Sequence, residues 1–453
     1  MESWDPTVRR IERATRWVGH ILLGTTLLGV ACALCMLLRD GFSHVSDDDF
    51  ARTVIAEEWC AAVRGLPLAE STDPFRTSRW TRIVDPSGTS WLPAPFWLTG
   101  AVMVAFGRSI AVARAAQLAL LALSGALLLR TLRRGGLSSM HCAPIVLLGF
   151  TPMMLWMSAS QSPDAWVAVL IASGAFALLR PQGTLDERGS IDLAPALGLL
   201  VATLSRYEAW PVALVVAAAQ ARHRPRWRTL VPLAGPCVWM LWNQLAHGAA
   251  LHFFARVARY RQAHEAVSLT SRLLHVPTAT LALLSRTLLI AMLVALVLIL
   301  MSATLRRTWW PTLVAGLALW SFLLLGSLGD GAPTHHPERA QLALGWLGAA
   351  VLVVGTKELF LRVHLRAGTK GGAILAAALV FAGILAAPAH LAQWRQWPGQ
   401  GDADRAAQIR AGLHARETDT AEGRREVSTC GYDYLAFIAA YGAPERVDRT
   451  PCR

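Results

Sequence analysis

The sequence predicts an all-α polytopic membrane protein, and three observations carry that reading. Apolar runs near twenty residues long, the length a helix needs to cross a bilayer, recur from one end of the chain to the other. Charged residues are 16% of the 453, where a soluble protein of this size carries about a quarter, and the mean hydropathy is positive. The basic residues gather in short connectors between the apolar runs, as the positive-inside rule requires. That placement makes the net charge of +13 a mark of topology and argues against a nucleic-acid partner.

Residues 1–17 form a basic, amphipathic lead expected on the cytoplasmic surface. The run 18–38 is long for a signal peptide and has no small-x-small cleavage site, so it reads as a retained first span. A long outward loop over 39–109 follows. It ends in Asp85-Pro-Ser-Gly-Thr-Ser-Trp-Leu-Pro-Ala-Pro95, where Pro and Gly forbid a continuous helix. The apolar stretch 96–106 is too short to cross and is expected to lie in the interface, anchored by Trp91 and Trp97. Further spans are expected at 110–130, 143–157, 164–180, 191–204, 210–221, 229–246, 279–302, 309–326, 340–355 and 372–388, about eleven in all. With that count every strongly basic short connector falls inside: Arg130 to Arg134, Arg180 to Arg188, Arg222 to Arg228, Arg306-Arg307, and Lys357 to Lys370. Making 96–106 a span would put all of them outside.

This gives a membrane domain over 1–388 and a small outward segment over 389–453. The latter is near the lower limit for a core of its own and is expected to dock on the membrane domain or to use a Cys430–Cys452 pair. Cys32, Cys35, Cys142 and Cys237 lie in or beside apolar runs and behave as small hydrophobes.

The unusual polar residues share the outward connectors. Ser46-Asp47-Asp48-Asp49-Phe50, with Arg52 and Glu57-Glu58 behind it, sets three consecutive carboxylates at a membrane surface. They repel one another unless a cation, a proton or a catalytic task compensates. Asp164 closes the polar turn Ser158-Ala-Ser-Gln-Ser-Pro-Asp164, and Arg206, Tyr207 and Glu208 sit between two short spans. The loop after Asn243 carries His247, His252, Arg256, Arg259 and His264. On a helix, Arg256 and Arg259 share a face suited to a phosphate. Thr334-His335-His336-Pro337-Glu338-Arg339 opens a later span, and its spacing matches no compact zinc signature. Each has an ordinary alternative: a solvated acidic loop, a helix cap, an interfacial anchor, a solvated basic face. The spans hold few ionisable residues, which suits chemistry at the interface better than ion-coupled transport through the midplane. A flippase for a lipid-linked sugar, acting without chemistry, and a non-catalytic scaffold are the competing classes.

In this ordered set the chain resembles the GT-C superfamily of membrane glycosyltransferases, the group of protein O-mannosyltransferases and lipid A aminoarabinose transferases. The resemblance rests on an acidic motif soon after the first span and on Trp91-Leu-Pro-Ala-Pro-Phe-Trp97, Phe106-Gly107 and Ala113-Arg114 in that order. Asp164 after the third span, Leu204-Ser-Arg-Tyr-Glu-Ala-Trp210 and the late outward His336 to Arg339 complete it. The family's motif has one or two acids where this chain has three, so Asp47, Asp48 and Asp49 all stay candidates for the catalytic acid. The resemblance implies transfer, with inversion, of a sugar from a polyprenyl-phosphate carrier to an outward-facing hydroxyl or amine on a glycan, lipid or protein acceptor. The first-loop acid would be the base, and Arg206, Arg256, Arg259 or Arg339 would take the lipid phosphate. Arg52, Trp91, Asp164, Tyr207, Glu208 and His336 would complete the substrate site. No cofactor beyond the lipid-linked donor is implied, and a divalent metal is left open. The expected compartment is a bacterial inner membrane with the N-terminus cytoplasmic, a topology that an endoplasmic reticulum membrane would also satisfy.

Overall fold

The computed structural model describes residues 6–70, 78–88, 91–179, 192–221, 227–264, 268–329, 337–365, 403–419, 424–429 and 433–451. The expected span at 372–388, the Cys430–Cys452 pair, His335 and His336, and the connector Arg180 to Arg188 lie outside these residues.

Helix α1 (Pro6–Arg39) carries the first apolar run. The outward loop then folds into three helices, α2 (Asp48–Arg64), α3 (Arg79–Val84) and α4 (Ala94–Phe106). Helix α4 coincides with the predicted interfacial stretch. It starts at Pro93-Ala94-Pro95, where proline suits a first turn, and its 13 residues reach only about 20 Å. Ser109 caps α5 (Ile110–Arg134) by accepting the Val112 N–H at 3.2 Å, so the chain turns from α4 into a full-length span.

Two expected spans are broken helix pairs. The run predicted over 143–157 is α6 (Ser139–Gly149) followed by α7 (Pro152–Ala159) at 80°. Pro152 denies the helix a backbone donor, while Thr151 takes the Met154 N–H at 3.3 Å and restarts it. The run predicted over 279–302 is α13 (Leu269–Leu284) and α14 (Arg286–Met301), bent by 98° at Ser285, a non-glycine residue at φ 57°. Between the pairs come α8 (Asp164–Phe176), α9 (Leu193–Thr203), α10 (Ala209–Ala221), α11 (Trp227–His247) and α12 (His252–His264). After them come α15 (Ala303–Leu328) and α16 (Pro337–Leu365), whose first turn is 3-10.

Among the described residues, α1 (from Arg16), α5, α15 and α16 are each long and apolar enough to cross a membrane, and each bent pair taken as one span makes six. Helices α4, α8, α9 and α10 are apolar but shorter, and α8 is buried along its whole length. Close approach of backbones depends on small residues, as is usual inside a bilayer. A Cβ on Gly149 would lie 2.4 Å from the Trp346 ring, and one on Gly100 2.3 Å from the Trp59 ring.

The C-terminal segment packs α17 (Ala403–Thr418) on α18 (Tyr434–Tyr441), beside a parallel pair of β1 (Arg425–Ser428) and β2 (Val447–Thr450). It docks on α2 through a shared apolar cluster in which Phe50 and Val54 meet Ala436, Ile438 and Ala439. Ion pairs that border that contact among the described residues include Arg108–Glu445 in a two-pronged bond of 2.7 and 2.9 Å, Arg449–Glu58 at 3.2 Å, and Arg405–Asp47.

Candidate active site

Four segments distant in sequence bring their charges together: the start of α2, the turn before α8, the connector between α9 and α10, and the first turn of α16. At the centre is Asp164, with its side chain 1% exposed. Arg206 donates to its Oδ1, Arg339 to its Oδ2 at 2.8 Å, and the Ser162 hydroxyl also donates to it. An isolated buried carboxylate would be too costly to ionise, and here two guanidinium groups and a hydroxyl compensate it. Arg206 also grips Glu208 with Nε and Nη2, at 3.1 and 2.6 Å. Arg339 reaches back to Ser46 Oγ at 2.8 Å and Ser162 Oγ at 3.1 Å, which stitches the first loop to α8 and α16.

The three acids of the first loop have different surroundings. Asp48 is the accessible one, 38% exposed and 3.7 Å from the Arg339 guanidinium. Asp47 turns to the C-terminal segment, where Arg405 holds both its oxygens at 2.5 and 2.9 Å. Asp49 is fully buried and takes the Val45 N–H at 2.8 Å. Burial pushes the Asp49 carboxyl up to about 6, against the opposing pull of Arg339 and of the Val45 amide.

Arg52 lies one helical turn beyond Asp48 and places its guanidinium over the Trp91 ring, 4.4 Å from the centroid. Burial lowers its pKa, while Asp164 and Asp48 oppose that shift. A cleft beside the cluster is walled by Asp164, Arg206, Glu208 and Arg339 at its polar end and by Val167, Ala168, Ile171, Ala340 and Ala343 along its apolar sides. A carboxylate open to solvent therefore stands beside the Arg339 guanidinium, and Arg339 and Arg206 both line the cleft between α8 and α16.

Asp48, Asp164, Arg206, Glu208 and Arg339 form one constellation, with Arg52 and Trp91 adjoining it. Tyr207 points elsewhere. Its ring stacks on Phe253 at 4.5 Å and its hydroxyl accepts from Trp239 Nε1 at 3.2 Å, within an apolar cluster that includes Leu92 and Trp210. Arg256 donates to the Gly88 carbonyl in the connector before α4, and Arg259 is exposed on α12. His336 lies outside the described residues. Sequence reasoning assigned no role to Ser46, Ser162 or Arg405. Ser46 and Ser162 sit within the two motifs already singled out, whereas Arg405, in a polar helix hundreds of residues from Asp47, gave no signal.

The fold is of the GT-C type. Among solved structures the chain is similar to ArnT from Cupriavidus metallidurans, whose crystal structure is bound to undecaprenyl phosphate. The TM-score is 0.54 and the match covers 96% of this chain and 89% of that one, at 15% sequence identity. At that identity the likeness is one of fold. No protein-family model matches the sequence, and no curated protein does.

Proposed function

We propose that the protein transfers a sugar from a polyprenyl-phosphate-linked donor to a hydroxyl or amine acceptor at the outer face of the membrane. The observation that carries this is the pairing of solvent-open Asp48 with Arg339, which together with Arg206 lines the adjoining cleft. Similarity in fold to ArnT, crystallised with a polyprenyl phosphate, supports the same reading. The donor phosphate meets Arg206 and Arg339, whose shared counter-ion Asp164 keeps both oriented.

Asp48 takes the proton of the acceptor O–H or N–H. The acceptor lone pair then forms a bond to the anomeric carbon from the face opposite the phosphate. The bond from that carbon to the phosphate oxygen breaks, its electron pair stays on the phosphate, and the configuration inverts. The two arginines bear the charge that grows on the departing phosphate. Glu208 holds Arg206 in place, and Asp47, occupied by Arg405, ties down the C-terminal segment.

The test is transfer of radiolabel from a polyprenyl-phosphate sugar in liposomes. Asp48→Asn should lower the rate by roughly 100-fold or more while the protein stays folded, the scale expected for loss of a general base. Asp47→Asn should cost less than tenfold. Equal activity in wild type and Asp48→Asn would remove the assignment.

A further inference from the structure

A second cleft adjoins the charged cluster and has no part in the mechanism above. It is bounded by Arg52 and Thr53 of α2, Pro95, Phe96 and Thr99 of α4, Gln117 of α5, and Gln161 and Pro163 of the turn before α8. Its volume of about 10 Å³ admits one water-sized group.

Its polar lining falls into two kinds. Gln117 is fully engaged: its amide donates to Thr99 Oγ1 at 2.7 Å and its carbonyl accepts from Trp166 Nε1 at 2.6 Å, so both side chains form fixed wall. Gln161 is only 3% exposed, yet among the described residues neither end of its amide meets a hydrogen-bond partner. The Nε of Arg52 is buried and unpartnered in the same way. Buried polar atoms left so are uncommon in folded proteins, and here they converge on one small space. Gln161 stands three residues from Asp164, and Arg52 is i+4 from Asp48 on α2, so the cleft lies beside the reacting groups.

We propose that this cleft is a specificity subsite that receives one hydroxyl of the transferred sugar, read by the Gln161 amide and Arg52, and that the sugar carries no charge at that position. The proposal rests on the sugar-transfer reading above. A hydroxyl both donates and accepts, which suits an amide that offers one of each, and Arg52 adds a donor. A carboxylate in the cleft would set another anion beside Asp48 and Asp164. An ammonium group would face the Arg52 guanidinium.

The experiment compares short-chain polyprenyl-phosphate hexoses with their monodeoxy analogues, on wild type and on the near-isosteric Gln161→Leu. Wild type should transfer one monodeoxy sugar at least tenfold more slowly than its parent, because that donor leaves the buried amide unpaired. In Gln161→Leu the ratio should fall to within about twofold, mainly through a slower parent reaction. A variant that slows parent and analogues alike would mean that Gln161 only supports the fold, and the proposal would fall. Donor-induced thermal shifts of both proteins are read in parallel. If wild type transfers nothing, the sugar-transfer reading fails by itself. The subsite then stands when the parent donor stabilises wild type more than its deoxy analogue does and the difference vanishes in Gln161→Leu. It falls when the shifts are equal.

Discussion

Asp47 faces Arg405, Asp48 is open beside Arg339, and Asp49 is sealed with one oxygen on the Val45 amide. Their sequence does not distinguish them, because the partners that do so come from α16, from α17 and from the bend after α1. Asp49 has a measurable consequence. Its carboxyl titrates near 6 in the fold but near 3.8 in an unfolded chain. Between those values the native protein holds a proton that the unfolded chain has released. Ionisation of Asp49 thus costs stability progressively as pH rises through the window, and the cost is complete above it. Asp49→Asn keeps an acceptor for the Val45 N–H and avoids the cost. Its stability relative to wild type should therefore grow from about pH 4 to about pH 6 and then level off, by roughly 3 kcal/mol at most. Thermal melts in detergent across that range check it; a difference that does not change with pH would mean that Asp49 titrates as an ordinary surface acid.

At the scale of elements, the site depends on how the first loop is pinned. Helix α2 carries Asp48 and Arg52 on one face and is clamped by α4 on one side and by α18 on another. The α2–α4 contact is close because position 100 has no side chain. Gly100→Ala would drive a methyl into the Trp59 ring and force the helices apart, at a cost of about 1–3 kcal/mol. The expected result is a lower Tm, with weaker transfer because α4 also walls the small cleft. An unchanged Tm would mean that Trp59 yields freely. Length made α4 legible as an apolar helix too short to cross a membrane, and polar motifs marked the turns at Asp164 and Arg206. The breaks at 150–151 and 285 were not legible. Apolar residues continue through both, and hydropathy does not register a change of direction; Pro152 gave a hint that Ser285 did not. Gln161 stands inside the polar turn before Asp164, but only packing shows that its amide meets no partner among the described residues.

At the scale of the molecule, the two ends of the long helices have opposite characters. Helix α5 opens with Arg114, which donates to the carbonyls of Phe42 and Ser43 beside the acidic motif, and it closes with Arg130 and Arg134 on Asp192. Its 25 residues span about 37 Å, so the charged cluster and the arginine-rich connector stand roughly a bilayer apart. Helices α15 and α16 repeat the pattern in opposite directions: Arg306 and Arg307 lie at the start of one, and Arg339 opens the other, which runs on to Lys357 and Arg362. The basic ends therefore share one side, which the positive-inside rule leads us to propose is the cytoplasmic one. On that proposal a donor used at Asp48 already has its sugar on the outer face, which requires a separate step to move it there. Single cysteines in a cysteine-free background test the orientation directly. Glu70→Cys, on the exposed part of the first loop, should react with a membrane-impermeant thiol reagent in intact cells, and Arg134→Cys only after the cells are opened. The opposite pattern would place the site on the cytoplasmic face, where a donor could be used without first crossing the membrane.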